Sequence, residues 1–111
     1  MDDAKLSEWL KVSGLSVDEL ELILQVLRRN SRIQKAILFG SRAKGSAQPY
    51  SDIDIAIEGL DDELEVARIE MFLDELPLPY RFDVKGLDTI SYQPLRAHID
   101  RAGITIYHKS A

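Results

Sequence analysis

The stretch from Gly40 to Ile57 reads GSRAKGSAQPYSDIDIAI. Ahead of it, Ala36-Ile-Leu-Phe39 forms a nearly continuous apolar run, the pattern of a strand covered on both faces. Gly40 ends that strand, and Ser41 to Gly45 is short enough for one helical turn. Ser46 to Ser51 contains Pro49 and reads as loop. Ile53 to Glu58 is a second strand, and Asp52 and Asp54 stand two apart at its start. Residues two apart on a strand share a face, with Cα atoms roughly 7 Å apart, so the two carboxylates can converge. A turn that suits phosphates, followed by paired hard oxygen donors, points to phosphoryl or nucleotidyl transfer.

Working outward, Ile33 to Phe39 is the first strand. Before it, Ser16-Val-Asp-Glu19 is a capping box that opens a helix with Leu20, Ile23, Leu24 and Leu27 on one face. Arg28 and Arg29 supply cations at its C-terminal end. Leu6, Trp9 and Leu10 recur at helical spacing, and Gly14 closes that first helix. Beyond Gly59, the acidic run Asp61 to Glu65 opens a helix whose apolar residues are Leu64, Ala67, Ile69, Met71 and Phe72. Pro77 and Pro79 stop it. Arg81 to Val84 is a third strand ended by Gly86, Pro94 to Ala102 a helix capped by Gly103, and Ile104 to Tyr107 a fourth strand. The order predicts one α/β (α+β) domain over residues 1–111, with N-terminal helices across 4–30 and a catalytic core across 33–108.

Composition narrows the function classes. The 111 residues are 45% apolar and 30% charged, an ordinary globular mixture. A net charge of −5 argues against direct nucleic-acid binding, which needs a basic face. Having no cysteine excludes disulfides, thiolate chemistry and cysteine-held zinc. The charged N-terminus carries no secretory h-region and no apolar run spans a bilayer, so the expectation is a cytoplasmic chain without a membrane partner.

Two carboxylates and a turn are not a complete site. Asp83 stands between Phe82 and Val84, an acid interrupting an apolar strand. Such a carboxylate is costly unless paired or metal-bound, so it fits as a third ligand for Mg²⁺ or Mn²⁺. Pairing with Arg81 or Lys85 is the plainer alternative. At the phosphate end, Gly40 admits close backbone approach and Ser41 offers a hydroxyl and an N–H. Arg42 and Lys44 are the nearest cations. They project from different sides of a helical turn, so one reaches phosphate and Arg42 is equally readable as a structural arginine spanning the turn. Gly40-x₄-Gly45 starts like a P-loop, but Ser46-Ala47 stands where Lys-Ser/Thr belongs, which rejects it. His98 and His108 read as surface residues, and Tyr50, Tyr80, Tyr92 and Tyr107 as packing residues.

Gly40-Ser41, Asp52-Ile53-Asp54 and Asp83 together resemble the signature of the polymerase-β-type nucleotidyltransferase superfamily. GSRAKG followed by SDIDIAI is similar to its minimal nucleotidyltransferase (MNT) branch, over roughly residues 17 to 108. The resemblance implies a mixed, partly antiparallel sheet with helices on one side. It implies that Asp52 and Asp54 bind two Mg²⁺ ions and that Asp83 holds the catalytic one and helps activate the acceptor hydroxyl. It implies that Gly40 and Ser41 hold the β- and γ-phosphates of a nucleoside triphosphate, ATP. It also implies an antitoxin that transfers AMP to a tyrosine of a small helical HEPN-type toxin. Only 28 residues follow Asp83, so acceptor recognition is expected from a partner or a second copy of the chain. Two other functions compete: a non-enzymatic binding antitoxin, and adenylylation of a small hydroxylated molecule.

Overall fold

The computed structural model describes residues 10–109. Leu6 and Trp9 of the expected first helix lie outside them, while residues 10–13 are helical and end at Gly14. The first complete helix, α1 (Val17–Arg28), starts at the full capping box: Glu19 N–H donates to Ser16 Oγ and Ser16 N–H donates to Glu19 Oε1. It buries Leu20, Ile23, Val26 and Leu27; Leu24, expected on that face, is half-buried.

Strand β1 (Lys35–Phe39) starts two residues later than its apolar pattern, because Ile33 N–H is held by Asn30 O in the turn after α1. The one-turn helix α2 (Ser41–Lys44) and strand β2 (Ile53–Glu58) follow. Helix α3 (Glu63–Asp74), capped by the Asp62 carboxylate, leads to β3 (Phe82–Gly86). A 3₁₀ turn at Leu87–Thr89, helix α4 (Gln93–Ala102) and strand β4 (Ile104–His108) complete the order.

The sheet is mixed, in the order β3-β2-β1-β4. β1 is antiparallel to both β2 and β4, and β2 is parallel to β3. Alternation along the strands divides the core in two. Leu38, Ile53, Ile55, Ile57, Phe82 and Val84 pack with Leu20, Ile23 and Leu27 of α1 and Val66, Ile69 and Leu73 of α3. On the opposite face Ile37, Phe39 and Ala56 meet Leu87, Ile99 and Leu95. Helices therefore cover both faces, not one, because Leu95 and Ile99 give α4 its own apolar stripe.

A second correction concerns α3. Its buried stripe is Val66, Ile69 and Leu73, whereas Leu64, Met71 and Phe72 are exposed. Of the apolar residues counted from the sequence only Ile69 is buried; the i, i+3, i+7 spacing of 66, 69 and 73 selects the full stripe.

Candidate active site

The odd-phase residues Ile53, Ile55 and Ile57 of β2 face α1 and α3, so Asp54 and Ala56 face the α4 side. Asp54 is the register partner of Asp83 in the parallel β2–β3 ladder. Both are half-buried, and Asp52, one residue ahead of β2, is exposed. Asp54 and Asp83 thus stand side by side on the α4 side of the sheet, with Asp52 near enough for its charge to act on Asp54. Burial raises the Asp54 pKa above the ordinary carboxylate range, and the neighbouring charges of Asp83 and Asp52 raise it further. Lys85 opposes the shift; its Nζ lies 3.7 Å from Asp83 Oδ1.

The turn reaches the same point from the other side. Phe39 at the end of β1 pairs with Asp54, so Gly40 lies against that carboxylate. Gly40 has φ 74° and ψ −151°, a conformation essentially confined to glycine. A β-carbon there would overlap Asp54 Oδ2. Ser41 starts α2 half-buried, and Lys44 is exposed one turn on. Gly45, with φ 78°, ends the turn in the left-handed region.

Arg42 points elsewhere. It is 2% exposed, and its guanidinium donates to three backbone carbonyls: Ser13 O at 2.8 Å from Nη1, Ser51 O at 2.9 Å from Nη2, and Pro49 O at 3.5 Å from Nη2. Nε also donates to Ser51 O, at 3.3 Å. The guanidinium stacks on Tyr80, 4.5 Å from the ring centroid. Of the two readings open for Arg42, this geometry is the structural one.

Edge strand β3 is protected rather than open. Phe82 N–H donates to Asp74 Oδ1 at 3.0 Å, and the Glu70 carboxyl, one turn earlier on α3, lies near the Val84 backbone, so α3 lines the edge on either side of Asp83. Burial raises the Glu70 pKa, with the charges of Asp83 and Asp74 adding to it. A groove of about 340 Å³ opens beside Lys85, between Glu63, Ala67 and Glu70 of α3 and Thr89–Ile90.

Among the described residues, no group of three or more histidine, cysteine, aspartate or glutamate side chains is placed to hold a metal ion. By donor type, the carboxylates of Asp52, Asp54 and Asp83 are hard oxygens of the kind a divalent cation takes, with Lys85 as the nearby counter-charge.

Other expectations fared unevenly. Tyr80 packs, and its hydroxyl donates to Glu19 Oε2 at 2.7 Å. Tyr50 and Tyr92 are exposed, at 74% and 68%, and so are not packing residues. His98 is half-buried rather than superficial, while His108 is exposed. The roles of Tyr80, Asp74 and Glu70 escaped the sequence reading. The only signal for the two acids was their i, i+4 spacing on α3, which also describes any solvated helix face. No spacing links Tyr80 to Arg42.

Comparison with known proteins gives the same picture. Residues 21–111 match the family described as polymerase beta, nucleotidyltransferase. Over 94 residues the chain is 32% identical to the probable protein adenylyltransferase MntA of Haemophilus influenzae, covering 83% of this chain and 82% of that protein. A chain in the crystal structure of a toxin–antitoxin with AMP-PNP superposes with TM-score 0.70 at 26% identity, covering 82% of this chain and 74% of that one. The same fold, with TM-score 0.64 at 23% identity over 82% of this chain and 71% of the other, occurs in the complex of a tri-AMPylated Shewanella oneidensis HEPN toxin with its MNT antitoxin. The chain belongs to the polymerase beta nucleotidyltransferase family.

Proposed function

We propose that this chain is an antitoxin that transfers AMP from ATP to a tyrosine hydroxyl of a HEPN-type toxin, with Mg²⁺ as cofactor. The observation that carries the reading is the register pairing of Asp54 with Asp83, beside Asp52 and against Gly40. The relatives support the partner and the nucleotide: one is a probable protein adenylyltransferase, and one toxin–antitoxin structure holds AMP-PNP.

In this reading Gly40 and Ser41 hold the β- and γ-phosphates through backbone and hydroxyl donors, and Lys44 adds charge from the exposed side of α2. The acceptor oxygen attacks the α-phosphorus. An oxygen–phosphorus bond forms, the bond to the bridging oxygen breaks, and pyrophosphate leaves. Asp83 takes the acceptor proton. Asp52, Asp54 and Asp83 would hold Mg²⁺ or Mn²⁺, which neutralises charge on the phosphates when bound.

The test is incubation with α-labelled ATP, Mg²⁺ and the product of the adjacent gene. Label should appear on that protein and be lost with Asp52→Ala and Asp54→Ala. Label that survives both changes refutes the proposal.

A second reading, neutralisation by binding alone, draws on the exposed Leu64, Met71 and Phe72 of an otherwise acidic helix α3. Asp83→Asn separates the two. Toxin that stays neutralised by this variant, without label, favours binding.

A further inference from the structure

Three segments must meet for the site to exist: the turn after β1, the end of the loop before Asp52, and the approach to β3 before Asp83. The β1–β2 ladder aligns Phe39 with Asp54, but the loop from Ser46 to Ser51, which leads into Asp52, lies outside any strand. Arg42 touches all three. It sits one residue after Ser41, donates twice to the carbonyl of Ser51, the residue before Asp52, and stacks on Tyr80, three residues before Asp83. Its other bonds, to Pro49 O and Ser13 O, hold the loop and tie the group to the segment ahead of α1. The loop itself is closed by Gln48 N–H to Ser51 Oγ at 2.8 Å and Ser51 N–H to Gln48 O at 3.0 Å, which presents the Ser51 carbonyl inward.

We infer that Arg42 is a positioning residue, not a phosphate ligand: its buried guanidinium sets where Asp52 stands relative to Ser41 and Asp83. Its interest depends on the adenylyl-transfer reading above, but its geometry does not. A guanidinium suits the task because its planar fork serves several carbonyls at once while one face stacks on a ring; a lysine ammonium has fewer donors, no fixed fork and no face to stack. Tyr80 is in turn fixed by Glu19, the residue that closes the capping box of α1. Burial opposes ionisation of Glu19, yet the bonds from Ser16 and Tyr80 and the charge of Arg42 outweigh it and lower its pKa. The cation therefore has a counter-charge one ring away.

The test compares the full-length chain with Arg42→Lys, Tyr80→Leu and Lys44→Ala. Amide exchange, binding of Mn²⁺ with AMP-PNP, and the rate of label transfer to the adjacent-gene protein are measured for each. Arg42→Lys should speed exchange at Gln48, Ser51 and Ile53 by about tenfold or more beyond any change at Ile23 and Leu27 of the core. It should slow transfer by about 10–100-fold, through kcat, with the affinity for Mn²⁺ and AMP-PNP nearly unchanged. Lys44→Ala should do the reverse, weakening nucleotide binding and leaving exchange alone. Tyr80→Leu should shift the same loop amides in the same direction by less, which decides the matter if Arg42→Lys does not fold. The inference is overturned if the Arg42 and Tyr80 variants leave loop exchange tracking global stability, or if Arg42→Lys weakens nucleotide binding as Lys44→Ala does. A wild-type chain that binds no nucleotide would refute the functional reading, while the exchange measurements would still decide Arg42.

Discussion

Asp54 and Asp83 occupy one rung of the parallel β2–β3 ladder, so two carboxylates share a half-buried space. Burial, Asp83 and Asp52 all raise the Asp54 pKa in the folded chain. The folded state then holds that proton more tightly than the unfolded state, whose Asp pKa is about 3.9. Ionised Asp54 therefore costs stability at neutral pH, and the cost disappears as pH falls through the raised value and below the unfolded one. In EDTA, Asp54→Asn should melt higher than wild type near pH ~7, the gap closing towards pH ~4. Mg²⁺ should stabilise the wild type and narrow that gap. Thermal unfolding across this range checks the sign; an Asn variant no more stable than wild type at neutral pH contradicts it.

Gly40→Ala should cost about 1–3 kcal/mol for the backbone conformation alone. The added methyl also displaces the Asp54 carboxylate. Transfer activity should fall further than stability, since the displaced group belongs to the site. Denaturant unfolding paired with turnover of the surviving folded fraction separates the two effects.

Lys44→Ala touches an exposed side chain with no bonded partner among the described contacts. Stability should stay within about 0.5 kcal/mol of wild type. The KM for ATP should rise, by about tenfold for one lost charge-assisted contact. An unchanged KM would remove Lys44 from the phosphate end.

Asp74→Ala strips the acceptor from Phe82 N–H at the sheet edge. The loss should be about 0.5–1.5 kcal/mol, as for one hydrogen bond. The clearer readout is local: exchange at the Phe82 amide should quicken, while β1 amides follow global stability.

Ile99→Ala removes the best-buried side chain of α4, at 1% exposure. Its contacts with Ile37, Phe39 and Ala56 hold the second core. A cost of about 2–5 kcal/mol is expected. Urea unfolding measures it; a cost under about 1 kcal/mol would show that α4 is not the cover of that face.

Strong local signals made much of this legible in the sequence. The capping box at Ser16 and Glu19, the apolar run into Phe39, and the alternation of Ile53, Ile55 and Ile57 each specify an element without help from the rest of the chain. The opposed sides of Arg42 and Lys44 on α2 were also readable, because a helical turn separates residues two apart. What local signals could not show was which side was inside. The stacking of Arg42 on Tyr80 joins residues 38 apart, and the cover of β3 by Glu70 and Asp74 depends on how α3 lies along the strand. Likewise α4 reads as a helix from its own residues, but its placement on the second face follows from Ile37 and Phe39 being in opposite phase to Leu38.

The strand order carries a consequence for synthesis. All three acids and the Gly-Ser turn lie on or beside β1, β2 and β3, which emerge from the ribosome before β4. Central strand β1 gains its second neighbour only when β4 is made. A nascent chain therefore holds all three acids of the candidate site while one flank of its central strand is still bare. At that stage the exposed row of backbone groups on β1 is a hazard for wrong pairing, and the pairing of β4 removes it.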